Sequence, residues 1–185
     1  MEMIGYHGTN AENETSIIQN NFFVSSQSDD WLGTGAYFFI EGLLDPAKCA
    51  ESWAKVSSYD KIKRKNVYGR YAVMSATLDL DEPFDLDEKE NLEAYHVYRE
   101  AFFENLKKNK IKARGAMHND CQICNLILND DELEIDAIIR REYIKLESEH
   151  RIKKYDSRIP NCRIVSIKNP KKSVCNIKTD KVGEI

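Results

Sequence analysis

The amino-acid sequence predicts an α+β protein in which helices flank a mixed or antiparallel sheet. Strand-like segments occur near both ends of the chain and helical segments are concentrated between them, which favours this class over alternating βαβ units. The chain also contains no GxGxxG or Walker pattern. Its 185 residues can bury one substantial core, so we expect a single domain over residues 1–185.

The N-terminal part of the chain is predicted to contain short strands and a short helix. Residues 3–6 are predicted to form a strand that ends at His7. A short helix over residues 10–20 and a brief strand candidate over residues 22–24 follow. Two glycines then permit a tight turn that delivers Tyr37 to a buried strand.

The later elements follow from a helix start signal and from hydrophobic periodicity. Asp45 and Pro46 are predicted to begin a helix, because proline is favoured at the first helical position. Apolar residues spaced near the helical period predict a long helix over residues 87–108, which is expected to cover the sheet. A further helix is predicted around residues 120–128. Strands are predicted at residues 71–80, 135–139, 162–167 and 174–177.

The composition is typical of a soluble globular protein. Hydrophobic residues make up 42% of the chain, and no apolar run approaches the roughly 18 residues that a membrane span needs, so we expect no membrane partner. Residues 1–6 do not resemble a secretory signal, which predicts a cytoplasmic location. The five cysteines suit free thiols better than a disulfide framework. His118, Cys121 and Cys124 are closely spaced, but a structural zinc needs four ligands, so no metal site is predicted.

Charge is distributed unevenly along the chain. From Arg140 onward there are 13 Lys and Arg against 6 Asp and Glu, whereas the preceding part carries 14 against 25. The basic C-terminal third gives a slight preference for an anionic partner such as nucleic acid. A solvated surface is the commoner explanation of such a bias. The same two explanations apply to the short basic clusters at residues 61–65 and 171–172.

Three motifs within the first 54 residues carry a family resemblance. They are His7-Gly8-Thr9, then Trp31-Leu32-Gly-x-Gly-x-Tyr37-Phe38, and then Ala50-x-x-Trp53-Ala54. In residue type, order and spacing they resemble the ADP-ribosyltransferase superfamily, and within it the branch of diphtheria toxin and the poly(ADP-ribose) polymerases. The resemblance implies a split mixed or antiparallel sheet with flanking helices, and it implies NAD as the substrate that donates ADP-ribose.

The resemblance also implies roles for individual residues. His7 is expected to bond the ribose hydroxyls of NAD, the main chain of Gly8 to hold the nicotinamide carboxamide, and Tyr37 to stack on the nicotinamide ring. These roles agree with the chemistry, since imidazole offers a donor and an acceptor and glycine permits close approach to the main chain. Thr9 is expected to add a hydroxyl. Trp53 is the candidate for a second wall of an aromatic slot, which favours a planar, partly cationic ring.

The third motif of the family departs from the usual pattern. Cleavage of the bond between nicotinamide and ribose creates an oxocarbenium-like centre, and family members usually place a glutamate beside it. We place the corresponding strand at residues 161–166, which contain no glutamate. Arg163 or Asn161 are candidates to hold a ribose hydroxyl, although Arg163 cannot stabilise a developing cation by charge. Glu134 and Asp136 are the candidate carboxylates from outside this strand.

The leading hypothesis is a mono-ADP-ribosyltransferase of the small bacterial or phage type that modifies a macromolecular acceptor, either nucleic acid or protein. The family resemblance implies a toxin of a toxin–antitoxin or phage-defence system, with an antitoxin protein as its partner. The missing glutamate motivates an alternative, a catalytically degenerate module that binds NAD, ADP-ribose or a protein. A nucleic-acid-binding protein with a coincidental His-Gly-Thr is a third hypothesis, which the acidic first two-thirds of the chain disfavours.

Overall fold

The computed structural model describes residues 1–185 and contains nine strands and six α-helices. The strands are β1 (Glu2–Asn10), β2 (Ala36–Ile40), β3 (Tyr59–Asp60), β4 (Lys65–Asn66), β5 (Arg70–Asp79), β6 (Pro83–Asp85), β7 (Ala137–Glu142), β8 (Cys162–Ile167) and β9 (Val174–Glu184). The helices are α1 (Glu14–Asn20), which follows a 3-10 turn at Ala11–Asn13, α2 (Pro46–Ser57), α3 (Lys89–Lys108), α4 (Ala116–Leu128), α5 (Ser148–Ile152) and α6 (Pro170–Ser173). None of these helices combines the length and the apolar character needed to cross a membrane.

Seven of the strands form one mixed sheet in the order β6-β7-β8-β2-β1-β5-β9. Only β6 and β7 pair in parallel, and every other neighbouring pair is antiparallel. The two remaining strands, β3 and β4, form a separate short hairpin. This arrangement confirms the predicted α+β class with a mixed sheet rather than a βαβ winding.

Side chains along a strand alternate between the two faces of the sheet, and each face contributes to its own buried core cluster. One face packs against α2, α3 and α4 through residues such as Ala50, Tyr95 and Ile123. The other face packs against α1 through Ile17. Phe38 and Phe39 belong to opposite faces and are 1% and 6% exposed, which confirms the buried strand predicted after the two glycines.

Several predicted boundaries differ from the structure. β1 continues to Asn10, so His7 lies inside the strand and not at its end, because β5 pairs with β1 along the whole strand. Residues 22–24 are not a strand; Phe22 is buried in the core instead. Asn21 directs this segment, since it adopts φ 69° and its side-chain amide donates to the carbonyls of Pro170 and Val174.

The later elements are close to their predicted positions. Asp45 caps α2 by accepting from the amides of Ala47 and Lys48, and Pro46 occupies the first turn, as predicted. β8 has the predicted bounds, whereas β9 extends to Glu184 and α4 begins at Ala116. The extension of β9 has a tertiary cause, because it pairs with the long strand β5.

Candidate active site

The candidate site lies where β1 and β2 stop pairing. β1 pairs with β5 through nine residues, but its register with β2 contains the single pair Tyr6 and Phe39. Beyond this pair, the His7 ring connects the strands, because its Nδ1 lies 2.8 Å from the carbonyl oxygen of Tyr37. A side chain therefore replaces the main-chain ladder at the point where His7 and Gly8 approach Tyr37.

The bond to Tyr37 determines the tautomer of His7. A carbonyl oxygen only accepts, so Nδ1 carries the proton and the neutral ring keeps Nε2 as an acceptor. The ring packs edge-on against Phe22 and Phe38, with centroids 5.1 and 5.9 Å away. Burial lowers the pKa of His7, and the hydrogen bond to Tyr37 opposes part of that shift. His7 is therefore neutral at pH 7 and presents an acceptor suited to a hydroxyl group.

The phenol of Tyr37 organises the glycine-containing turn that precedes β2. Its oxygen accepts from the amide of Leu32 at 2.7 Å and donates to the carbonyl of Gly33 at 2.7 Å. Gly33 has φ +77°, a conformation that favours glycine. Burial raises the pKa of Tyr37, so the phenol stays protonated. Because the hydroxyl is occupied within the turn, Tyr37 contacts the site with its ring.

A small cavity of about 30 Å³ occupies the space beside these residues. It is lined by His7, Gly8, Trp31, Tyr37, Phe38, Phe39, Trp53 and Ile164. We call this cavity the aromatic pocket. A single water needs about 10–15 Å³ on a comparable measure, so the aromatic pocket has room for roughly two waters. A nicotinamide ring therefore needs the walls to separate.

Four of the predicted site residues meet in the aromatic pocket: His7, Gly8, Tyr37 and Trp53. Trp31, to which the sequence analysis gives no role, is a fifth member, and its ring lies 5.1 Å from that of Trp53 and 6.2 Å from that of Tyr37. The available signal was its position two residues before the turn that delivers Tyr37. Trp31 and Trp53 are the chain's two tryptophans.

Gly8 allows α2 to lie directly on β1. A Cβ added at Gly8 would meet the carbonyl oxygen of Ala50 at 1.8 Å and the Cβ of Ala54 at 3.1 Å. The small residues of this motif are therefore explained by packing between helix and strand as well as by ligand binding. This packing places Trp53, on the same helix, against the aromatic pocket.

Thr9 and Arg163 lie outside the lining of the aromatic pocket. Thr9 accepts from the side-chain amide of Asn13 at 2.9 Å, so it stabilises the start of the first helical segment. Arg163 donates from Nε to Asp87 at 3.1 Å and pairs with Asp85 through Nη2. It lines a separate cleft of about 390 Å³ that also includes Glu41.

Ile164 is the one residue of β8 that lines the aromatic pocket. Ile164 pairs with Phe39, and the alternation of side chains directs Arg163 to the opposite face of the sheet. Asn161 holds the main chain of Ile144 through two hydrogen bonds of 2.9 Å. Ile164 was not predicted as a site residue, although the alternation of side chains along a strand separates its face from that of Arg163.

No acidic residue lines the aromatic pocket. Glu134 is exposed and has φ 51°. Asp136 is 8% exposed and accepts from the amide of Asp81 at 2.7 Å, while its Oδ1 has no hydrogen-bond partner. Neither of these predicted outside carboxylates reaches the pocket, so its interior is uncharged.

The cysteines and histidines do not assemble a metal centre. No group of three or more His, Cys, Asp or Glu side chains is arranged to hold a metal ion. Cys121 and Cys124 belong to α4 and are buried in the core. Burial raises the pKa of Cys124 to about 12, so this thiol stays protonated. All five cysteines are free.

Arg151 packs against the outer side of Trp53. Its guanidinium carbon lies 5.0 Å from the centroid of the Trp53 ring, a cation–π contact. Nε and Nη1 donate to the carbonyls of Lys145 and Val56 at 3.0 and 3.1 Å. Burial lowers the pKa of Arg151. This side chain connects α5 to the last turn of α2, beside the aromatic pocket.

Comparisons with known proteins give no family for the chain. No protein-family model matches it. No curated protein matches its sequence.

Proposed function

We propose that this chain is a mono-ADP-ribosyltransferase that transfers ADP-ribose from NAD to a macromolecular acceptor. The observation that carries the proposal is the convergence of His7, Gly8, Tyr37 and Trp53 in one aromatic pocket. These residues come from three motifs that are separated in the sequence. A coincidental His-Gly-Thr would not require Tyr37 and Trp53 to meet it.

The aromatic pocket suits the nicotinamide end of NAD. Tyr37 and Trp53 offer aromatic faces to a planar cationic ring, and Nε2 of His7 accepts from a ribose hydroxyl. Entry requires the pocket to widen beyond its volume of about 30 Å³. Trp31 is the residue that we expect to move, because it lies on a connecting loop and contacts both Tyr37 and Trp53.

The transfer step breaks the bond between the nicotinamide nitrogen and C1 of the ribose. The bonding electron pair leaves with nicotinamide, which becomes neutral, and C1 acquires oxocarbenium character. A nucleophile of the acceptor then bonds to C1 and loses its proton to solvent. The lining contains no carboxylate to act as a general base. This favours transfer of a single ADP-ribose over polymer growth, which requires activation of a ribose hydroxyl at each step.

Release of nicotinamide from NAD, measured by chromatography, tests the proposal. We expect His7→Ala and Tyr37→Ala each to lower the rate at least about 100-fold, because they remove substrate-positioning contacts. His96→Ala is the matched control, since His96 is an exposed residue of α3. Equal rates in all three variants would contradict the assignment of the aromatic pocket.

A second candidate function is a module that binds NAD or ADP-ribose without cleaving it. The absence of an acidic residue from the lining favours this candidate. Calorimetric titration with NAD distinguishes the two, because a binding module takes up NAD and releases no nicotinamide. Nicotinamide release that is lost in Tyr37→Ala excludes the module.

We further propose a cytoplasmic toxin role, in a toxin–antitoxin or phage-defence system with an antitoxin protein as partner. This role depends on the family resemblance alone. Expression in a host cell is expected to arrest growth, and His7→Ala is expected to restore it. Harmless expression of the unaltered chain would remove the role without affecting the enzymatic proposal.

A further inference from the structure

Two basic segments meet at the C-terminal end of α2, within one helical turn of Trp53. Residues 58–68 contain the β3–β4 hairpin, and Tyr68 donates from its hydroxyl to the carbonyl of Ala54. Residues 143–161 connect β7 to β8, and Arg151 in this segment donates to the carbonyl of Val56. We call these two segments together the basic patch. Both are attached to the helix that supplies a wall of the aromatic pocket.

The basic patch differs in charge from the rest of the chain. It carries nine Lys and Arg against four Asp and Glu, a net charge of +5, whereas the whole chain has a net charge of −4. The remaining residues therefore carry −9. An anionic macromolecule is attracted to the basic patch and repelled by much of the remaining surface.

Most cations of the basic patch have no carboxylate partner. Three are paired within the patch: Lys63 with Asp60, Lys145 with Asp156 and Lys153 with Glu149. The other six lie farther than 4.0 Å from any carboxylate. These six are Lys61, Arg64, Lys65, Arg151, Lys154 and Arg158. Arg151 is held by main-chain carbonyls and by the Trp53 ring, so the other five are available to phosphate groups without loss of an existing ion pair.

Exposed aromatic rings accompany these cations. Tyr59, at the start of the hairpin, is 51% exposed, and Tyr155, after α5, is 49% exposed. The His150 ring lies 5.6 Å from that of Tyr155. Cations interleaved with exposed aromatic rings are the combination that binds single-stranded nucleic acid, in which phosphates meet the cations and bases stack on the rings.

We propose that the acceptor is a single-stranded nucleic acid that lies across the basic patch and places one nucleotide at the mouth of the aromatic pocket. The inference rests on the proposed transferase function. An oxygen or nitrogen of that nucleotide bonds to C1 of the ribose, nicotinamide leaves with the electron pair, and the proton goes to solvent. A single strand is required because a stacked, paired base cannot reach an enclosed reaction centre.

Transfer of label from NAD labelled in its ADP-ribose group identifies the acceptor class. The acceptors are a mixed-sequence single-stranded RNA, the matching single-stranded DNA, the corresponding duplexes and lysate protein. Label on one of the single strands, and at least about tenfold less on its duplex, is the expected result. Label on protein alone overturns the inference, while nicotinamide release shows that the proposed function stands. An absence of release with every acceptor contradicts the proposed function itself.

A charge-neutralised variant tests the surface. The combination K61Q, R64Q, K154Q and R158Q removes four cations of the basic patch but keeps Arg151, which bonds α2. We expect the KM for the oligonucleotide to rise at least about tenfold, with kcat at saturation within about twofold. The log–log salt dependence of binding should become shallower by roughly 3, because each phosphate contact contributes about 0.7 on a single strand.

The matched control neutralises four lysines outside the basic patch. The variant K107Q, K108Q, K110Q and K112Q removes the same charge at the C-terminal end of α3 and the residues after it. It is expected to leave the KM for the oligonucleotide within about twofold. Equal losses in the two variants overturn the inference, since they indicate a general charge effect. Binding of the patch to vesicles of anionic phospholipid, with no binding to the oligonucleotide, overturns it as well.

Discussion

The aromatic pocket and the cleft around Arg163 both border strand β8, through the neighbouring residues Ile164 and Arg163, whose side chains point to opposite faces of the sheet. The pocket holds about 30 Å³, has no acidic residue in its lining, and lies where β1 and β2 cease to pair. The cleft is larger, about 390 Å³, but Arg163 and Arg141 within it are both paired with Asp87. The volume of a cavity therefore does not identify the candidate active site. The pocket offers a free acceptor and aromatic faces, whereas the two arginines of the cleft are already held in ion pairs with Asp85 and Asp87.

The largest expected effect is the loss of stability when Gly8, which lies directly against α2 beside the aromatic pocket, is substituted. Gly8→Ala places a methyl group within 1.8 Å of the Ala50 carbonyl oxygen, which belongs to the main chain of α2. We expect the free energy of unfolding to fall by about 3 kcal/mol, the upper part of the range for overpacking. Urea denaturation measures the change.

Gly69→Ala is the matched control, because a Cβ at Gly69 meets nothing within 4 Å. It is expected to change the stability by less than about 0.5 kcal/mol. Similar losses at the two glycines would show that α2 does not depend on close packing at Gly8.

The second effect is the pH dependence of activity through His7. Burial lowers the pKa of His7, so the neutral form persists below the ordinary value of about 6.5. Nicotinamide release should be constant from pH 8 down to about 6.5 and then decline by up to about tenfold per pH unit below the lowered pKa, as Nε2 becomes a donor. A pH–rate profile measures this.

The same shift links folding to pH. Because the folded-state pKa is depressed, the unfolded chain binds the proton more readily, and stability falls as the pH falls from about 6.5 through the folded pKa. His7→Asn keeps polar groups in the ring's place and should remove this acid dependence. The unfolding free energy of both proteins is measured as a function of pH. If that of His7→Asn falls over the same acid range as that of the unaltered chain, another group is responsible for the dependence.

The smallest expected effect is the loss of stability when Arg163, which lines the cleft and not the aromatic pocket, is substituted. Arg163→Gln breaks the pairs with Asp85 and Asp87, whose side chains are about one-seventh exposed. We expect a loss of about 1 kcal/mol in unfolding free energy, which solvent screening limits. The rate of nicotinamide release per folded molecule should stay within about twofold. A loss of about 100-fold would instead support the catalytic role that the sequence suggested for Arg163.

The fold was predictable wherever local signals and tertiary pairing agree. The strand signal at residues 162–167 and the Asp45-Pro46 start of α2 placed β8 and α2 correctly. Residues 22–24 were wrongly predicted as a strand, because local composition does not reveal that Asn21 is tied to residues about 150 positions away. The length of β9 was underestimated for a similar reason, because its extension to Glu184 follows from its pairing with β5.

The site was predictable where the family resemblance supplies a motif, even though β1, β2 and α2 each contribute to it, and less so where a side chain's partners decide its role. His7, Gly8, Tyr37 and Trp53 were all named from the sequence. Arg163 was named as well, but its partners Asp85 and Asp87 lie 78 and 76 residues earlier and were not visible. The volume of the aromatic pocket and the loss of pairing between β1 and β2 are long-range properties that no local pattern encodes.

Intrinsic tryptophan fluorescence during titration with NAD and with nicotinamide tests the central claim most directly. The chain has two tryptophans, and both line the aromatic pocket, so emission reports on this site alone. We predict a saturable change with either ligand, and an affinity at least about tenfold weaker in Tyr37→Ala. NAD binding that is detected by calorimetry without any change in emission would place the nicotinamide elsewhere and contradict the assignment.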